Sequence, residues 1–333
     1  MFRRLSILVV SLASLSTAAL TAGASRSNSS LSASRPAASS QKADHKKNDQ
    51  EGNKDTPQKL GVLTVRLPIV VKKNNKFVGG LSRANFEIFE DGKLQKIEEF
   101  QAPSDLPLDV AILMDTSESV KLKLPFEKSA AEDFVSDITT YRRRDRVLFA
   151  TFDTDIELHQ DFTAIEGPLV RAINSVKAGG YTRLYDAVCR VIEEKMSNLA
   201  RADSRGVILI LSDGEDTASQ HSVNDAVEMA ERYDVTVFAI STKNFTGITS
   251  GIVESVDDKE LRHLCEETGG QIFLPAQKLE LFRSFTQVAT DLRGEYVAFY
   301  TPDDQKQAGK HRTIKVKLVG ADGKLYHKQG YKY

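Results

Sequence analysis

Five oxygen-bearing side chains lie in three short polar segments, each of which adjoins an apolar or amphipathic stretch. The first segment, DTSES at 115–119, directly follows an apolar run, and the third, SDGED, follows another. The second, GGYTRLYD, precedes an amphipathic stretch. The side chains that could share one ion are two carboxylates and three hydroxyls: Asp115, Ser117, Ser119, Thr182 and Asp213. Hard oxygen ligands without His or Cys suit Mg²⁺, Mn²⁺ or Ca²⁺ and not zinc.

The spacing of the first segment lets it supply several ligands to one ion. In D-x-S-x-S, a loop turns its first, third and fifth side chains toward the same point. Two carboxylates only just balance a divalent charge, and magnesium-like ions prefer about six oxygens. Water can fill some positions, and an external carboxylate is a favourable sixth ligand. We therefore expect the metal to hold an Asp or Glu side chain, or another carboxylate, of a protein partner.

Alternating strands and helices should position these segments. Apolar runs at 108–117 and 206–216, each ending in polar residues, are typical of strands buried on both faces, and helical patterns separate them. The order predicts an α/β fold with a doubly wound, mostly parallel sheet at 105–293. In such sheets, ligands bind beyond the carboxyl ends of the strands, near the switch in strand order. The three polar segments can therefore meet there.

Two β-rich segments flank this region. The segment at 59–104 contains FEIFEDGKLQKIEEF, which predicts a hairpin because Asp91-Gly92 separates two alternating runs. The segment at 294–333 contains three short strand patterns with a turn at Asp322-Gly323. We expect the two segments to pair as a small β module into which the α/β domain is inserted.

The N-terminus predicts export. Arg3 and Arg4 precede an apolar run that small residues close at 22–24, as in a cleaved signal peptide spanning 1–24, although an uncleaved anchor is the alternative. Residues 25–58 are polar enough to form a disordered linker. We expect a secreted or periplasmic protein with no membrane span after cleavage. Export permits a Cys189–Cys265 bridge, but both residues lie in helical patterns that favour buried, unpaired thiols.

Composition excludes some partners. The net charge is −1 in 333 residues, so no global basic field indicates nucleic acid. The sequence also lacks a G-x-S-x-G motif and a phosphate-binding glycine loop. We therefore expect no enzyme activity, with a metal-dependent hydrolase or a structural assembly subunit as the alternatives.

The three motifs together resemble the metal-ion-dependent adhesion site of von Willebrand factor type A domains. D-T-S-E-S, G-x-T-x-L-Y-D-A and L-S-D-G-E-D-T occur in the family's order over roughly 106–293, and the flanking segments resemble bacterial secreted "VWFA-related" proteins. The resemblance implies that Ser117 and Ser119 coordinate directly, that Thr182 does so directly or through water, and that Asp115 and Asp213 often act through water. Glu118 and Tyr181 depart from the family by standing where small residues are frequent.

Simpler interpretations exist for single acids. Asp115 and Asp213 could cap helices, which is a common role for Asp at strand-to-helix junctions. Asp186 is expected in the first turn of a helix, where the helix dipole favours acids, and not at the metal. Asp153 and Asp155 are expected in a solvated turn.

Overall fold

The computed structural model describes residues 64–102, 106–141, 144–197, 204–244, 255–303 and 309–332. The predicted signal peptide at 1–24 and linker at 25–58 lie outside these ranges. None of the helices in the described ranges has the length and apolar character needed to cross a membrane.

Within these ranges the chain forms fifteen strands and six α-helices. The strands are β1 (Val65–Lys73), β2 (Lys76–Phe77), β3 (Phe86–Glu90), β4 (Lys93–Gln95), β5 (Ile97–Gln101), β6 (Leu108–Asp115), β7 (Arg146–Phe152), β8 (Ile156–Thr163), β9 (Arg205–Ser212), β10 (Val235–Ser241), β11 (Ile272–Phe273), β12 (Tyr296–Tyr300), β13 (His311–Leu318), β14 (Lys324–Tyr326) and β15 (Gly330–Lys332). The helices are α1 (Leu124–Tyr141), α2 (Glu166–Ser175), α3 (Leu184–Val191), α4 (Val223–Arg232), α5 (Val256–Glu267) and α6 (Lys278–Arg293).

A six-stranded sheet in the order β11-β10-β9-β6-β7-β8 forms the centre of the α/β domain. All pairs are parallel except β7–β8, which is antiparallel. Every residue of β6 and β9 is buried, as expected for central strands covered on both faces. The chain passes from β6 to β7 on one side and returns to β9 on the other. The switch in strand order therefore lies beside β6.

Helices cover both faces of this sheet. Successive β6 residues alternate between two cores, with Ile112 facing the core formed with α1, α2 and α6 and Leu113 facing the core formed with α3, α4 and α5. The prediction of a doubly wound, mostly parallel α/β sheet flanked by N- and C-terminal strands is confirmed. The domain boundaries themselves stay a prediction.

The flanking strands form a β module of two sheets. One sheet has the order β14-β1-β12-β5, with β2 paired to β1, and the other has the order β15-β13-β3-β4. Strand β1 thus lies between two strands from the C-terminal segment, with Val65 opposite Tyr300 and Val70 opposite Tyr326. Both sheets contribute to one hydrophobic core, which includes Leu67, Ile88 and Ile314 among its buried residues.

Left-handed backbone conformations close the tight turns of this module. Asp91 and Gly92 have φ angles of 47° and 80°, which matches the two-residue hairpin turn between β3 and β4. Strand β5 then leaves that hairpin and pairs with β12. The predicted hairpin is therefore present, but its second half is divided between two sheets.

A buried ionic cluster joins the β module to the α/β domain. The ammonium of Lys72 on β1 donates hydrogen bonds to Asp291 on α6 and to Oε1 of Gln271, the latter at 2.9 Å. Gln271 and Gln287 both donate to the Asp291 carboxylate, at 3.1 and 2.8 Å. Burial lowers the pKa of Lys72 and raises the pKa of Asp291, so each charge depends on the other.

The segment at 294–333 forms four strands, β12 to β15, where three were predicted, and strands β8 and β11 of the central sheet were not predicted. Strand β8 extends the sheet at its edge, and none of its residues is fully buried, so it lacks the apolar alternation that marks a half-buried strand. Strand β11 has only two residues. Cys189 and Cys265 are both buried and free.

Candidate metal centre

The candidate centre lies at the carboxyl ends of β6 and β9, which are neighbours in the sheet. Asp115 is the last residue of β6, and Asp213 immediately follows the last residue of β9. The parallel register places Met114 opposite Leu211, so the two strands end at the same level. This edge is the switch point at which open α/β sheets bind ligands.

Hydrogen bonds organise the first loop around Asp115. Its Oδ1 accepts from the backbone N–H of Ser117 at 2.8 Å, and its Oδ2 accepts from the hydroxyl of Ser212 at 2.6 Å. The hydroxyls of Ser117 and Ser119 are 2.9 Å apart. The structure therefore brings three of the five predicted residues into one hydrogen-bonded group.

The loop that carries Thr182 is bound to the other two loops through its backbone. Gly179 donates its N–H to the carbonyl of Thr116 at 2.7 Å, and Glu118 donates its backbone N–H to the carbonyl of Gly180 at 3.3 Å. On the other side, Thr217 donates its N–H to the carbonyl of Thr182 at 3.1 Å. These bonds hold the three predicted segments together at one edge of the sheet.

Gly180 is required by the geometry of this loop. Its φ angle is +87°, a backbone conformation that residues other than glycine rarely adopt. A Cβ atom at this position would lie 2.6 Å from Oγ1 of Thr154, the same hydroxyl that accepts the backbone N–H of Tyr181. The glycine therefore permits the close contact that positions Thr182.

Asp213 carries an unsatisfied buried oxygen. No described residue offers a hydrogen bond to its Oδ1, while its Oδ2 lies 3.6 Å from the ammonium of Lys123. A buried carboxylate oxygen without a donor is costly unless a cation binds it. The described residues contain no group of three or more His, Cys, Asp or Glu side chains suited to a metal. A ligand set of two carboxylates and neutral hydroxyls is compatible with both observations, so the residues fit a hard divalent cation.

In the absence of a cation, burial disfavours the ionised form of the acids in this centre. Burial raises the pKa of the Asp115 carboxyl to about 6, and the nearby charge of Asp213 adds to the rise, although hydrogen bonds from Ser212 and Ser117 oppose it. A divalent ion would favour the ionised form of both acids.

Glu127 is a third acid that the sequence interpretation missed. It lies on α1 and is fully buried. Burial is the main cause that raises the pKa of its carboxyl to about 8, and the charges of Asp115 and Asp213 contribute to the rise. A signal existed in the sequence, because Glu127 occupies the buried face of the helix shared by Leu124 and Ala131.

Two further residues hold the ligand loops in place. Ser212 bonds Asp115 and also accepts the backbone N–H of Gly214 at 3.0 Å, so one hydroxyl connects both strand ends. Asp153 accepts a hydrogen bond from the Thr116 hydroxyl at 2.9 Å. Asp153 lies in the expected turn but is partly buried, and it supports the first metal loop.

The two departures from the family pattern border the centre without filling it. Glu118 is mostly exposed and accepts a hydrogen bond from Lys121 at 2.7 Å. Tyr181 is 69% exposed. Asp186 lies in the first turn of α3, as predicted. Although burial opposes it, hydrogen bonds from His221, Gln220 and Arg183 lower the pKa of Asp186 to about 2.

Comparison with protein families decides the membership of this chain. The model of the von Willebrand factor type A domain matches residues 109–288, which is more than half of the sequence. The chain belongs to the von Willebrand factor type A domain family. A search of curated proteins finds no match. The resemblance carried by the three sequence motifs is thereby confirmed, and domains of this family with the adhesion-site motif bind divalent metals.

Solved structures similar to this von Willebrand factor type A domain come from diverse sources. Proximal thread matrix protein 1 from the mussel byssus is 19% identical with a TM-score of 0.46, covering 58% of this chain and 49% of the mussel chain. The chain thus matches about half the length of that protein, and another structure of it has a zinc-occupied adhesion-site motif. BatB from Bacteroides thetaiotaomicron is 14% identical with a TM-score of 0.44, covering 56% of this chain and 98% of its own. The von Willebrand factor domain of the pilus tip protein Mfa5 from Porphyromonas gingivalis is 12% identical with a TM-score of 0.44. The match covers 55% of this chain and 94% of the Mfa5 chain.

Proposed function

We propose that this chain is an extracytoplasmic adhesion or adaptor module that holds an acidic group of a protein partner through a divalent metal. The observation that carries the proposal is the group formed by Asp115, Ser117 and Ser119 beside Asp213, whose buried Oδ1 has no hydrogen-bond donor among the described residues. These four residues and Thr182 would hold Mg²⁺, with Mn²⁺ or Ca²⁺ as alternatives. Bound there, the ion supplies an electrostatic attraction for a carboxylate.

The charges around the centre favour an anionic ligand. Asp115 and Asp213 together balance a divalent ion, and the hydroxyl ligands are neutral. The ammonium of Lys123 lies beside Asp213 and adds positive charge. An incoming carboxylate therefore meets a centre whose charge it neutralises, in partly buried surroundings where electrostatic attraction exceeds that in water.

Exposed apolar side chains around the ligand loops support a protein partner. Leu122 follows the first loop and is 88% exposed, and Tyr181 immediately precedes Thr182. Val256 is 71% exposed beside Asp257, whose Cβ lies 3.2 Å from the position of a Cβ on Gly214. Exposed apolar residues beside polar ligands are typical of protein-binding surfaces, where aromatic side chains often dominate affinity.

The serine hydroxyls are arranged for binding and not for nucleophilic catalysis. Those of Ser117 and Ser119 bond each other, whereas a serine nucleophile requires an adjacent general base. Burial raises the pKa of the Cys189 thiol to about 12, which removes it as a thiolate nucleophile near neutral pH. We expect no phosphatase or peptidase activity with or without Mg²⁺.

The test compares metal and partner binding in wild type and in Asp115→Ala. Isothermal titration with Mg²⁺ should show one site that the substitution removes, and partner capture from the native extracytoplasmic fraction should be lost with it. Asp155→Ala, an exposed acid in the turn after β7, is the matched control and should behave as wild type. Asp213→Asn provides a second, nearly isosteric variant in case Asp115→Ala does not fold.

Two results would contradict the proposal. One is partner capture that persists in excess chelator. The other is a large Mg²⁺-dependent rise in melting temperature with a partner that remains bound to Asp213→Asn, which would indicate a metal of purely structural role.

A further inference from the structure

A groove opens beside the metal centre, between the start of α1 and the segment that follows α2. Its volume is about 590 Å³. Apolar and basic residues dominate its lining: Lys121, Leu124, Pro125, Lys128, Lys177 and Ala178. This groove, called the lysine groove below, contains none of the predicted metal ligands, and among its lining residues Leu124 also belongs to a hydrophobic core.

Backbone contacts make the lysine groove continuous with the metal centre. Lys121 follows Ser119 by two residues, and its backbone N–H donates to the carbonyl of Glu118 at 3.3 Å. On the opposite wall, Ala178 precedes Gly179, whose N–H donates to Thr116 at 2.7 Å. A ligand segment that leaves the metal over this edge therefore reaches the groove without crossing a separate element.

The charge of the groove calls for an acidic occupant. Lys177 makes no hydrogen bond or ion pair with any described residue. Lys121 is paired with Glu118, but both side chains are 61% exposed, and exposed pairs are weak and exchange readily. Lys128 donates to the carbonyls of Asn174 and Val176 at the end of α2, which fixes its ammonium in place.

The one acid of the groove lining already has a partner. Glu132 accepts a hydrogen bond from Nδ2 of Asn174 at 2.7 Å, which ties it to the wall of the groove. Three lysines therefore face a single engaged carboxylate. Between them, the exposed Pro125 offers apolar contact for the aliphatic part of a side chain.

We propose that the lysine groove binds a second acidic side chain of the same protein segment whose first carboxylate is held by the metal. The inference rests on the proposed function and adds to it the chemistry of the partner: an extended segment with at least two acids a few residues apart. An extended chain advances by about 3.3–3.6 Å per residue, so such a spacing spans a surface groove of this size. The metal would bind one acid of the segment. The groove would then distinguish segments that carry a second acid nearby from segments that carry only one.

The experiment uses the intact protein and two synthetic peptides with blocked ends. The first peptide has one aspartate among glycines and serines. The second has the same aspartate followed, after two glycines, by three consecutive glutamates. Their affinities are measured by isothermal titration in Mg²⁺ for wild type, Lys177→Glu and Lys315→Glu. Lys315 is an exposed lysine on β13 of the β module, so its substitution changes the net charge equally and serves as the matched control.

In wild type and Lys315→Glu, the glutamate block should tighten binding about fivefold or more, the effect of one or two partly exposed ion pairs. Lys177→Glu should abolish that gain and leave the single-aspartate peptide unaffected. If the glutamate block adds no affinity while the single-aspartate peptide still binds in Mg²⁺, the proposal that the groove binds a second acid is wrong and the proposed function is unaffected. An equal loss of the gain in both variants would overturn the groove proposal as well. Mg²⁺ titration that fails to detect binding of either peptide would count against the proposed function itself.

Discussion

The ammonium of Lys123 lies 3.6 Å from Oδ2 of Asp213, and their side chains are 17% and 8% exposed. A fixed cation thus occupies the neighbourhood of a carboxylate that a divalent ion also requires. Since both cations are attracted to Asp213 and repel each other, Lys123 opposes metal binding while it stabilises the metal-free centre.

Replacing Lys123 should separate these two effects. Lys123→Met is expected to raise the Mg²⁺ affinity about tenfold, because the repulsion is removed, and to lower the melting temperature in chelator. Isothermal titration and thermal unfolding measure the two quantities. Lys121→Met is the control, since Lys121 is exposed and paired with Glu118. Unchanged Mg²⁺ affinity in Lys123→Met would show that the ammonium moves away from the centre when metal binds.

Ser212 should influence metal affinity although it is not among the predicted ligands. It donates to Oδ2 of Asp115, and residues that orient metal ligands typically contribute about 10- to 100-fold in affinity. Ser212→Ala is therefore expected to weaken Mg²⁺ binding by a factor in that range. Ser241→Ala, at the end of the neighbouring strand, is the matched control because Ser241 is equally buried but accepts only a long hydrogen bond from Lys243. Equal effects of the two substitutions would assign the loss to packing.

Glu127 should make the metal-free protein less stable as the pH rises. The pKa of Glu127 is about 8 in the folded state, above the ordinary value of 4.5. Its favourable contribution is thus full below about pH 4.5 and is lost as the pH rises through about 8. Glu127→Gln removes this titration. In chelator, the unfolding free energy of the variant relative to wild type should therefore rise by on the order of 4 kcal/mol between pH 5 and pH 9.

Chemical unfolding at the two pH values tests the Glu127 prediction. Asp133→Asn, at an exposed position of the same helix, should follow the wild-type curve at both pH values. If wild type and Glu127→Gln lost stability in parallel, another group would be responsible for the pH dependence.

The buried pair of Lys72 and Asp291 should show strong coupling. Lys72→Met alone leaves a buried carboxylate without its counter-ion and is expected to cost about 3–5 kcal/mol of unfolding free energy. The double substitution Lys72→Met with Asp291→Leu should recover most of that loss, because replacing both charges by apolar groups is often neutral. Lys73→Met is the control, since Lys73 forms an exposed pair with Asp322. Additive losses in the double variant would refute the coupling.

Much of the fold follows from local pattern. The buried run at 108–115 and the motifs at its end predict both the central strand and the place of the ligand loops, because both depend on residues close in sequence. The edge strand β8 could not be predicted in this way, since no buried face imposes alternation on it.

The predicted metal ligands and the residues around them also differ in how far local sequence predicts their position. Ser117 and Ser119 share a loop with Asp115, so their spacing in sequence translates into proximity. Lys123 and Glu127 reach the centre because of how α1 packs over the sheet edge, which spacing alone does not encode. Glu127 shares the helical spacing of Leu124 and Ala131, but acids generally lie outside, so its role beside the centre becomes interpretable only when its neighbours in the fold are known.

The position of β1 between β12 and β14 has a consequence for biosynthesis. The strand is made early, yet apart from the short β2 its partners come from residues 296–326, so most of it stays unpaired during the synthesis of the entire α/β domain. During that time Leu67, Ile69 and Val71 present an apolar strand with free edges, the kind of segment that associates between chains. The α/β domain can fold while the ribosome is still translating, whereas the β module closes last. Slow translation or early truncation in the final forty residues should therefore produce aggregation and not a stable half-molecule.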